Sequence, residues 1–562
     1  MTPRRYIISP WLFFALFFGL VVYRLIECHC FPDPRVFAQA RHQYWSRTPV
    51  RSNRGLIQDS NNNILALSSP ASSFFIDPRD WSSTDAPALK GLVPESVFNR
   101  ISGLLEGRYV RLVRRVSPEV AEKIRALKLN GVHEEKEKKR EYPNGTLLSH
   151  VLGFCDIDGN GQSGVELSWN STLYNPEGYK VLIRQSGGRS LSFSNAAHAA
   201  ESGSGLSTVS LTIDVGIQYI VEKYLNQTSL EHGAKWGAAV CMNPNTGEIL
   251  SMASWPSFNP NVREDLGDER YLKNNVVGQN YEPGSTFKPI YMGIALESGI
   301  VRANESFSCP ARIKIADGFI SEAYQRAMGN ISTAEILIKS SNVGMAQIGS
   351  RSKAVETYRT LLNWGFDSTS DIELNGVEKG TLPSPGEWRG VVPANISIGQ
   401  GLMVTPLQLI TSVAAIVNGG KLMSPYIVRE ALDASGEVVY RGKPHVIREV
   451  LTPETCVWLR KAMRDTVLSG TARQANTSVT QIAAKTGTAQ VAEKGKYIKG
   501  RYVASFVGFW PYEDPRYLML IVIGEPSSGK YYGGELAGPT FKKIVEGMAD
   551  LANFDSGRGG KI

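Results

Sequence analysis

Three short motifs stand in a fixed order along this chain of 562 residues: Ser285-Thr-Phe-Lys288, Ser340-Ser-Asn342 and Lys485-Thr-Gly-Thr488. They are far apart in sequence, and their chemistry works only as a set, so the fold must bring three distant segments to one place. Each alone is a weak signal. Ser-x-x-Lys occurs again at Ser527 to Lys530, and Ser-x-Asn at Ser60, Ser168 and Ser257, whereas Lys-Thr-Gly occurs once. The weight lies in the set and its order.

The chemistry that the set spells is serine acyl transfer without histidine. A serine hydroxyl is a poor nucleophile near neutral pH and needs a neighbouring base. Pro283-Gly284 reads as a turn, and the apolar run after it as a helix that stops near Gly299. Pro289 fits because it lies in the first helical turn. Ser285 is therefore expected at a helix N-terminus, where free N–H groups and the dipole favour developing negative charge. Lys288, three residues on, shares its face and can fold back towards the hydroxyl as base. A lysine is a base only when neutral, so the site must lower a pKa of about 10.4 by desolvation or by a second positive charge. Lys485 is the candidate for that charge. Ser340 is expected to relay a proton, and Asn342 to orient Lys288 and hold a substrate amide.

Gln481 to Ala492 reads as a strand in which Gly487 lets another backbone approach closely, so an extended acyl peptide can dock along it. Lys485 with the Thr486 and Thr488 hydroxyls is the expected carboxylate site, and the N–H groups of Ser285 and Thr488 the expected oxyanion hole. The catalytic set is thus Ser285, Lys288, Ser340, Asn342 and Lys485; the carboxylate and oxyanion set is Thr486, Gly487 and Thr488. No cofactor or metal is required.

These motifs resemble the signature of the penicillin-binding protein and serine β-lactamase superfamily. The stretches Asn243-Pro-Asn-Thr-Gly-Glu-Ile-Leu-Ser-Met-Ala-Ser, Tyr281-Glu-Pro-Gly-Ser-Thr, Gly399-Gln-Gly-Leu-Met-Val-Thr-Pro-Leu-Gln-Leu and Lys530-Tyr-Tyr-Gly-Gly are similar to the class B, monofunctional branch, in particular its division-specific D,D-transpeptidase type. Upstream, Arg54-Gly-Leu-Ile-Gln-Asp59, Ile64-Leu-Ala66, Tyr142-Pro-Asn-Gly, His150-Val-Leu-Gly-Phe and Gly164-Val-Glu166 are similar to that branch's N-terminal pedestal. The family usually has Arg where this chain has Ser60 and Gly where it has Asn62. Asparagine tolerates a positive φ better than most residues, so the turn is expected to survive, while a local salt bridge is in doubt.

The resemblance covers nearly the whole chain. It implies an enzyme, a serine D-Ala-D-Ala transpeptidase, that takes the penultimate D-Ala of a peptidoglycan stem peptide onto Ser285, releases the terminal D-Ala and passes the acyl group to the amine of a neighbouring stem. β-Lactams would acylate the same serine. It also implies septal wall synthesis during cell division, with a membrane-embedded glycosyltransferase and other divisome proteins as partners. Alternatives are an elongation-type transpeptidase, a β-lactamase or β-lactam sensor of the same fold, and a non-catalytic divisome scaffold. For the β-lactamase reading, Asp371-Ile-Glu-Leu-Asn375 faintly resembles the Glu-x-x-Leu-Asn loop that positions deacylating water in one β-lactamase class.

From Tyr6 to Tyr23 there are 18 residues without charge, preceded by Arg4 and Arg5. This is long enough to cross most of the hydrocarbon core and places the N-terminus in the cytoplasm, with the catalytic part on the outer, periplasmic side of a bacterial inner membrane. The residues that follow, Arg24-Leu-Ile-Glu-Cys-His-Cys, lack a cleavage site, so the anchor is read as uncleaved. A formal charge of +8, spread along the chain, does not imply nucleic-acid binding. The run Glu134 to Glu141 mixes signs and reads as a solvated segment. Cys155, Cys241, Cys309 and Cys456 are far apart, with no Cys-x-x-Cys pair, and suggest neither zinc nor a disulfide framework.

The expected fold class is α+β and multidomain: a single N-terminal transmembrane helix, an elongated β-rich pedestal, and a penicillin-binding/serine β-lactamase-like transpeptidase domain with an antiparallel sheet flanked by helices. The expected bounds are 1–30 for the cytoplasmic tip and anchor, 31–230 for a non-catalytic pedestal of the dimerisation type, 231–552 for the transpeptidase domain and 553–562 for a disordered tail. In the pedestal, Ser186-Gly-Gly-Arg and Glu201-Ser-Gly-Ser-Gly read as spacer. In the catalytic part, Trp236 to Met242 and Glu248 to Ala253 read as a hairpin, Val503 to Trp510 and Tyr517 to Gly524 as strands beside that of Lys485, and Pro406 to Val417 and Thr452 to Val467 as helices.

Overall fold

The computed structural model of the chain describes residues 8–30, 45–49, 54–103, 109–174, 179–184, 190–193, 206–493 and 496–558. The chain divides into two compact units, Met1–Asn53 with Asn175–Gly205, and Arg54–Tyr174 with Leu206–Ile562. The first contains the helix Ile8–Cys30, within which Trp11–Cys28 is long and apolar enough to cross a membrane. It also contains a small antiparallel sheet in which Tyr179–Arg184 lies between Trp45–Pro49 and Ser190–Phe193. The Gly/Ser-rich stretches at Ser186 and Glu201 lie outside the described residues.

The second unit holds two large sheets. One has seven strands, in the order Val438–Arg441, Val428–Leu432, Thr208–Leu211, Leu56–Gln58, Ile64–Ile76 and Val110–Val116, with Val132–Glu141 also paired to Ile64–Ile76. Val428–Leu432 and Val438–Arg441 come from the stretch assigned by sequence to the catalytic part, yet they extend the pedestal sheet. Thr208–Leu211 would otherwise be an edge with Val209 and Leu211 uncovered; Val428 and Ala431 cover it, and all four are buried.

The charged run Glu134 to Glu141 forms most of a strand, exposed at Glu134, Glu135, Lys136 and Lys138 and half-buried at the other positions. Its mixed signs match its neighbours: Glu134 accepts from Ser72 and Arg125, Glu137 from Ser73 and Arg114, and Arg140 donates to Glu166. Asn62 has φ +65°, so asparagine does hold the turn. The arginine missing at Ser60 is answered from elsewhere, because Arg429 donates to the Ser60 carbonyl at 2.6 Å.

The other sheet has five antiparallel strands, in the order Ile249–Trp255, Trp236–Met242, Tyr517–Gly524, Lys496–Trp510 and Ala483–Glu493. The expected hairpin forms its first two strands. Strand alternation sorts the side chains into two cores. Val240, Met242, Leu518, Leu520 and Val507 pack with Ile290 and Leu409, whereas Ala239, Cys241, Ile521, Ile523 and Phe506 pack with Val221, Leu225, Phe541 and Ile544. The helix Pro406–Val417 is buried along its whole length. The last helix, Ala537–Arg558, runs through most of the tail expected to lack structure, because Leu551 still packs on the second core; residues 559–562 lie outside the described residues.

Candidate active site

The first motif sits where the sequence places it. Gly284–Phe287 forms a 3-10 turn that leads directly into the helix Lys288–Glu297, with Pro289 in its first turn. Three close backbone approaches fix this turn. Gly284 has φ +54° and donates its N–H to Gly399 O at 2.9 Å, while a Cβ at Gly399 would lie 2.1 Å from Gly284 O. On the other side, a Cβ at Gly284 would meet Thr488 O at 3.0 Å, and one at Gly487 would meet the Thr286 methyl at 2.8 Å. Ser285 and Thr488 therefore lie on neighbouring backbones, as an oxyanion hole between their N–H groups requires.

Lys288 and Lys485 are both fully buried. Lys288 Nζ donates to Ser340 O at 2.8 Å and to Asn342 Oδ1 at 2.7 Å, and lies 3.4 Å from Ser340 Oγ. Lys485 Nζ donates to Ser340 Oγ at 2.7 Å and to Thr486 O at 3.0 Å. All three motifs thus converge on the Ser340 hydroxyl. Ser340 reaches both lysines from a strained backbone, with φ +58°.

Burial pulls Lys288 down to about 7, with Glu322 acting the other way. Of the two causes expected for Lys288, desolvation is the larger. It is the larger cause for Lys485 too, and the mutual repulsion of the two cations adds to it; burial first and Lys288 second hold Lys485 well below the usual lysine range.

Strand alternation puts Lys485 and Gly487 on one face of Ala483–Glu493, and Thr486 and Thr488 on the other. Thr486 Oγ1 shares a 2.7 Å hydrogen bond with Thr471 Oγ1, and Thr488 Oγ1 accepts Gly533 N–H at 3.0 Å. When two hydroxyls share one bond, one proton is left to donate, so the Thr471–Thr486 pair can hold a carboxylate. The strand is the edge of its sheet, with an open side for an extended peptide.

Two residues at the site escaped the sequence reading. Thr471 lies in a loop without a motif. Glu322 follows the short strand Gly318–Ser321, and its carboxylate grips Ser341 and the backbone of Asn342 and Val343. In the segment Asp371 to Asn375, Glu373 accepts from Ile427 N–H and the Tyr440 hydroxyl, while Asp371, which stands at the glutamate position of the resembled loop, is exposed.

Comparison with known proteins agrees with this arrangement. Residues 237–546 match the penicillin-binding protein transpeptidase domain, and residues 49–208 the penicillin-binding protein dimerisation domain. The chain is 32% identical over 528 residues to peptidoglycan D,D-transpeptidase FtsI of Escherichia coli, covering 90% of this chain and 85% of the relative. It is 32% identical over 504 residues to the probable peptidoglycan D,D-transpeptidase PenA of Neisseria gonorrhoeae, covering 89% and 84%. It is also 31% identical over 547 residues to stage V sporulation protein D of Bacillus subtilis, covering 95% and 84%. A crystal structure of penicillin-binding protein 3 from Mycobacterium tuberculosis with aztreonam superposes with a TM-score of 0.68 at 26% identity, covering 90% of this chain and 97% of the other.

Fold and matched domains together define a penicillin-binding transpeptidase. The chain belongs to the class B penicillin-binding proteins, in which a dimerisation domain precedes the transpeptidase domain, and it is a peptidoglycan D,D-transpeptidase of the FtsI and penicillin-binding protein 3 type.

Proposed function

We propose that Ser285 is the nucleophile and Lys288 its base. The observation that carries this reading is the pair of buried lysines meeting at Ser340, with one of them brought to about 7 by burial. Neutral Lys288 takes the Ser285 proton as Oγ attacks the carbonyl of the penultimate D-Ala. The Ser285 and Thr488 N–H groups hold the oxyanion, and the Thr471–Thr486 hydroxyl pair with Thr488 holds the terminal carboxylate. The C–N bond then breaks, and the proton passes from Lys288 through Ser340 to the departing D-Ala amine. A neighbouring stem's amine attacks the resulting ester, gives up its proton along the same path, and regenerates the Ser285 hydroxyl. A β-lactam enters at the first step, and its opened ring stays on the serine.

In the same reading, Ile8–Cys30 anchors the chain with Arg4 and Arg5 in the cytoplasm, residues 31–230 form the pedestal and 231–552 the catalytic domain. The membrane-embedded glycosyltransferase and divisome proteins are the partners, and the septum the place of action; this rests on likeness to relatives that carry the FtsI name.

Labelling the full-length protein with a fluorescent penicillin tests the nucleophile. The label is expected to vanish in Ser285→Ala, and an undiminished label moves the nucleophile elsewhere. Imaging a tagged chain in dividing cells tests the setting: a uniform sidewall signal rejects the septal role.

A further inference from the structure

Glu322 lies outside all three motifs, yet it holds the middle one in place. It is 3% exposed, and its own N–H donates to Ala311 O at 2.9 Å. Its carboxylate accepts from Ser341 Oγ, from Asn342 N–H at 2.8 Å and from Val343 N–H at 3.3 Å. The two N–H groups open the helix Asn342–Gly349, whose positive end suits a carboxylate. The preceding residue, Ser321, accepts Asn342 Nδ2–H on its carbonyl at 3.1 Å. With Nδ2 committed to a carbonyl, Asn342 Oδ1 is the atom left for Lys288, which it meets at 2.7 Å. Segment 321–322 therefore fixes both the backbone and the amide orientation of Asn342, directly after the strained Ser340.

We propose that Glu322 is a positioning residue for acyl transfer: it clamps the Ser340-Ser341-Asn342 turn so that both oxygens offered to Lys288 stay in place, and it sets a negative charge that acts on Lys288. The titratable groups on which its charge acts are Lys288 on its helix and Cys309 on the strand Ser306–Cys309, which Lys339 also influences. Burial lowers Lys288 and Glu322 opposes that fall. Removing the charge lets Lys288 lose its proton at lower pH. Removing the clamp slows acylation at every pH.

The inference rests on Lys288 acting as base for Ser285. It is tested on the full chain in detergent, by following the acylation rate with a fluorescent penicillin from acidic to alkaline pH in wild type, Glu322→Gln and Glu322→Asp, alongside the thermal midpoint. Glu322→Gln is expected to move the acid limb down by about one pH unit and to lower the plateau about tenfold. Glu322→Asp keeps the charge and is expected to hold the limb in place while lowering the plateau. A limb that stays put or rises in Glu322→Gln overturns the proposal, as does a wild-type plateau in Glu322→Asp, which also decides the matter if the glutamine variant does not fold. A persistent label in Ser285→Ala overturns the nucleophile itself, whatever the Glu322 variants do.

Discussion

In the pedestal, Arg54, Arg140 and Glu166 are almost fully enclosed, and both arginines grip the same carboxylate, at 2.5 and 2.6 Å. In the cleft, Lys288 and Lys485 are just as enclosed, but their hydrogen bonds go to hydroxyl, carbonyl and amide oxygens. The consequences are opposite. Burial pushes Glu166 up, but Arg140 and Arg54 bring it below its ordinary range; burial pulls Arg140 down, but Glu166 leaves it raised. The pedestal cluster is therefore locked in its charged form. The lysines have no carboxylate among these hydrogen-bond partners, Glu322 acts on Lys288 through its charge alone, and both slide towards neutrality, where a proton can be exchanged. A buried charge hydrogen-bonded to a matched counter-charge holds a fold, whereas one whose direct contacts are dipoles is available for chemistry.

The sharpest way to break this contrast is Lys288→Met. It should lower acylation about a thousandfold, about 4 kcal/mol in the barrier, and leave the thermal midpoint level or higher, as burying a cation is itself unfavourable. A midpoint that falls with the rate would place Lys288 among the structural charges. Glu166→Ala should do the reverse, destabilising the chain by about 3 to 4 kcal/mol in denaturant unfolding because two buried arginines lose their partner. Penicillin labelling per folded molecule should stay at the wild-type level, and a loss of labelling in protein that remains folded would tie the pedestal cluster to catalysis.

A third expectation concerns pH. Lys288 is active when neutral and sits at about 7, so acylation should be half-maximal near there and fall about tenfold, about 1.4 kcal/mol, for each unit below it. A flat profile through neutrality would contradict a lysine base. The smallest effect belongs to Arg429→Ala, which removes the bond to Ser60 and should cost about 1 kcal/mol of stability, read as a small drop in the thermal midpoint with labelling unchanged.

The catalytic half was the more legible in sequence. The hairpin at Trp236 and the helix after Ser285 are apolar runs set off by Pro and Gly turns, the strand at Lys485 carries its motif, and each forms as expected. Glu322 and Thr471 were not legible, because they reach the site through tertiary placement and neither belongs to a periodic segment. The weight of desolvation on the lysines was hidden for a similar reason: spacing shows that two cations can meet, while only the packed structure shows how deeply they are buried. In the pedestal, the strand through Glu134 to Glu141 was hidden because its pattern is carried by charges, whose partners on neighbouring segments the sequence does not show. The pairing of Val428–Leu432 with Thr208–Leu211 joins segments more than two hundred residues apart, and no local pattern records such a contact.

That composite sheet has a mechanical meaning. Thr208–Leu211 is bonded to Leu56–Gln58 on one side and to Val428–Leu432 on the other, and Asp59 reaches the first N–H of the helix Val215–Glu231. A pull along the pedestal would load several parallel hydrogen bonds in shear, the direction in which they must break together. Within the compact unit of Arg54–Tyr174 and Leu206–Ile562, the catalytic core is riveted to its support, and force applied across this sheet is shared by those hydrogen bonds.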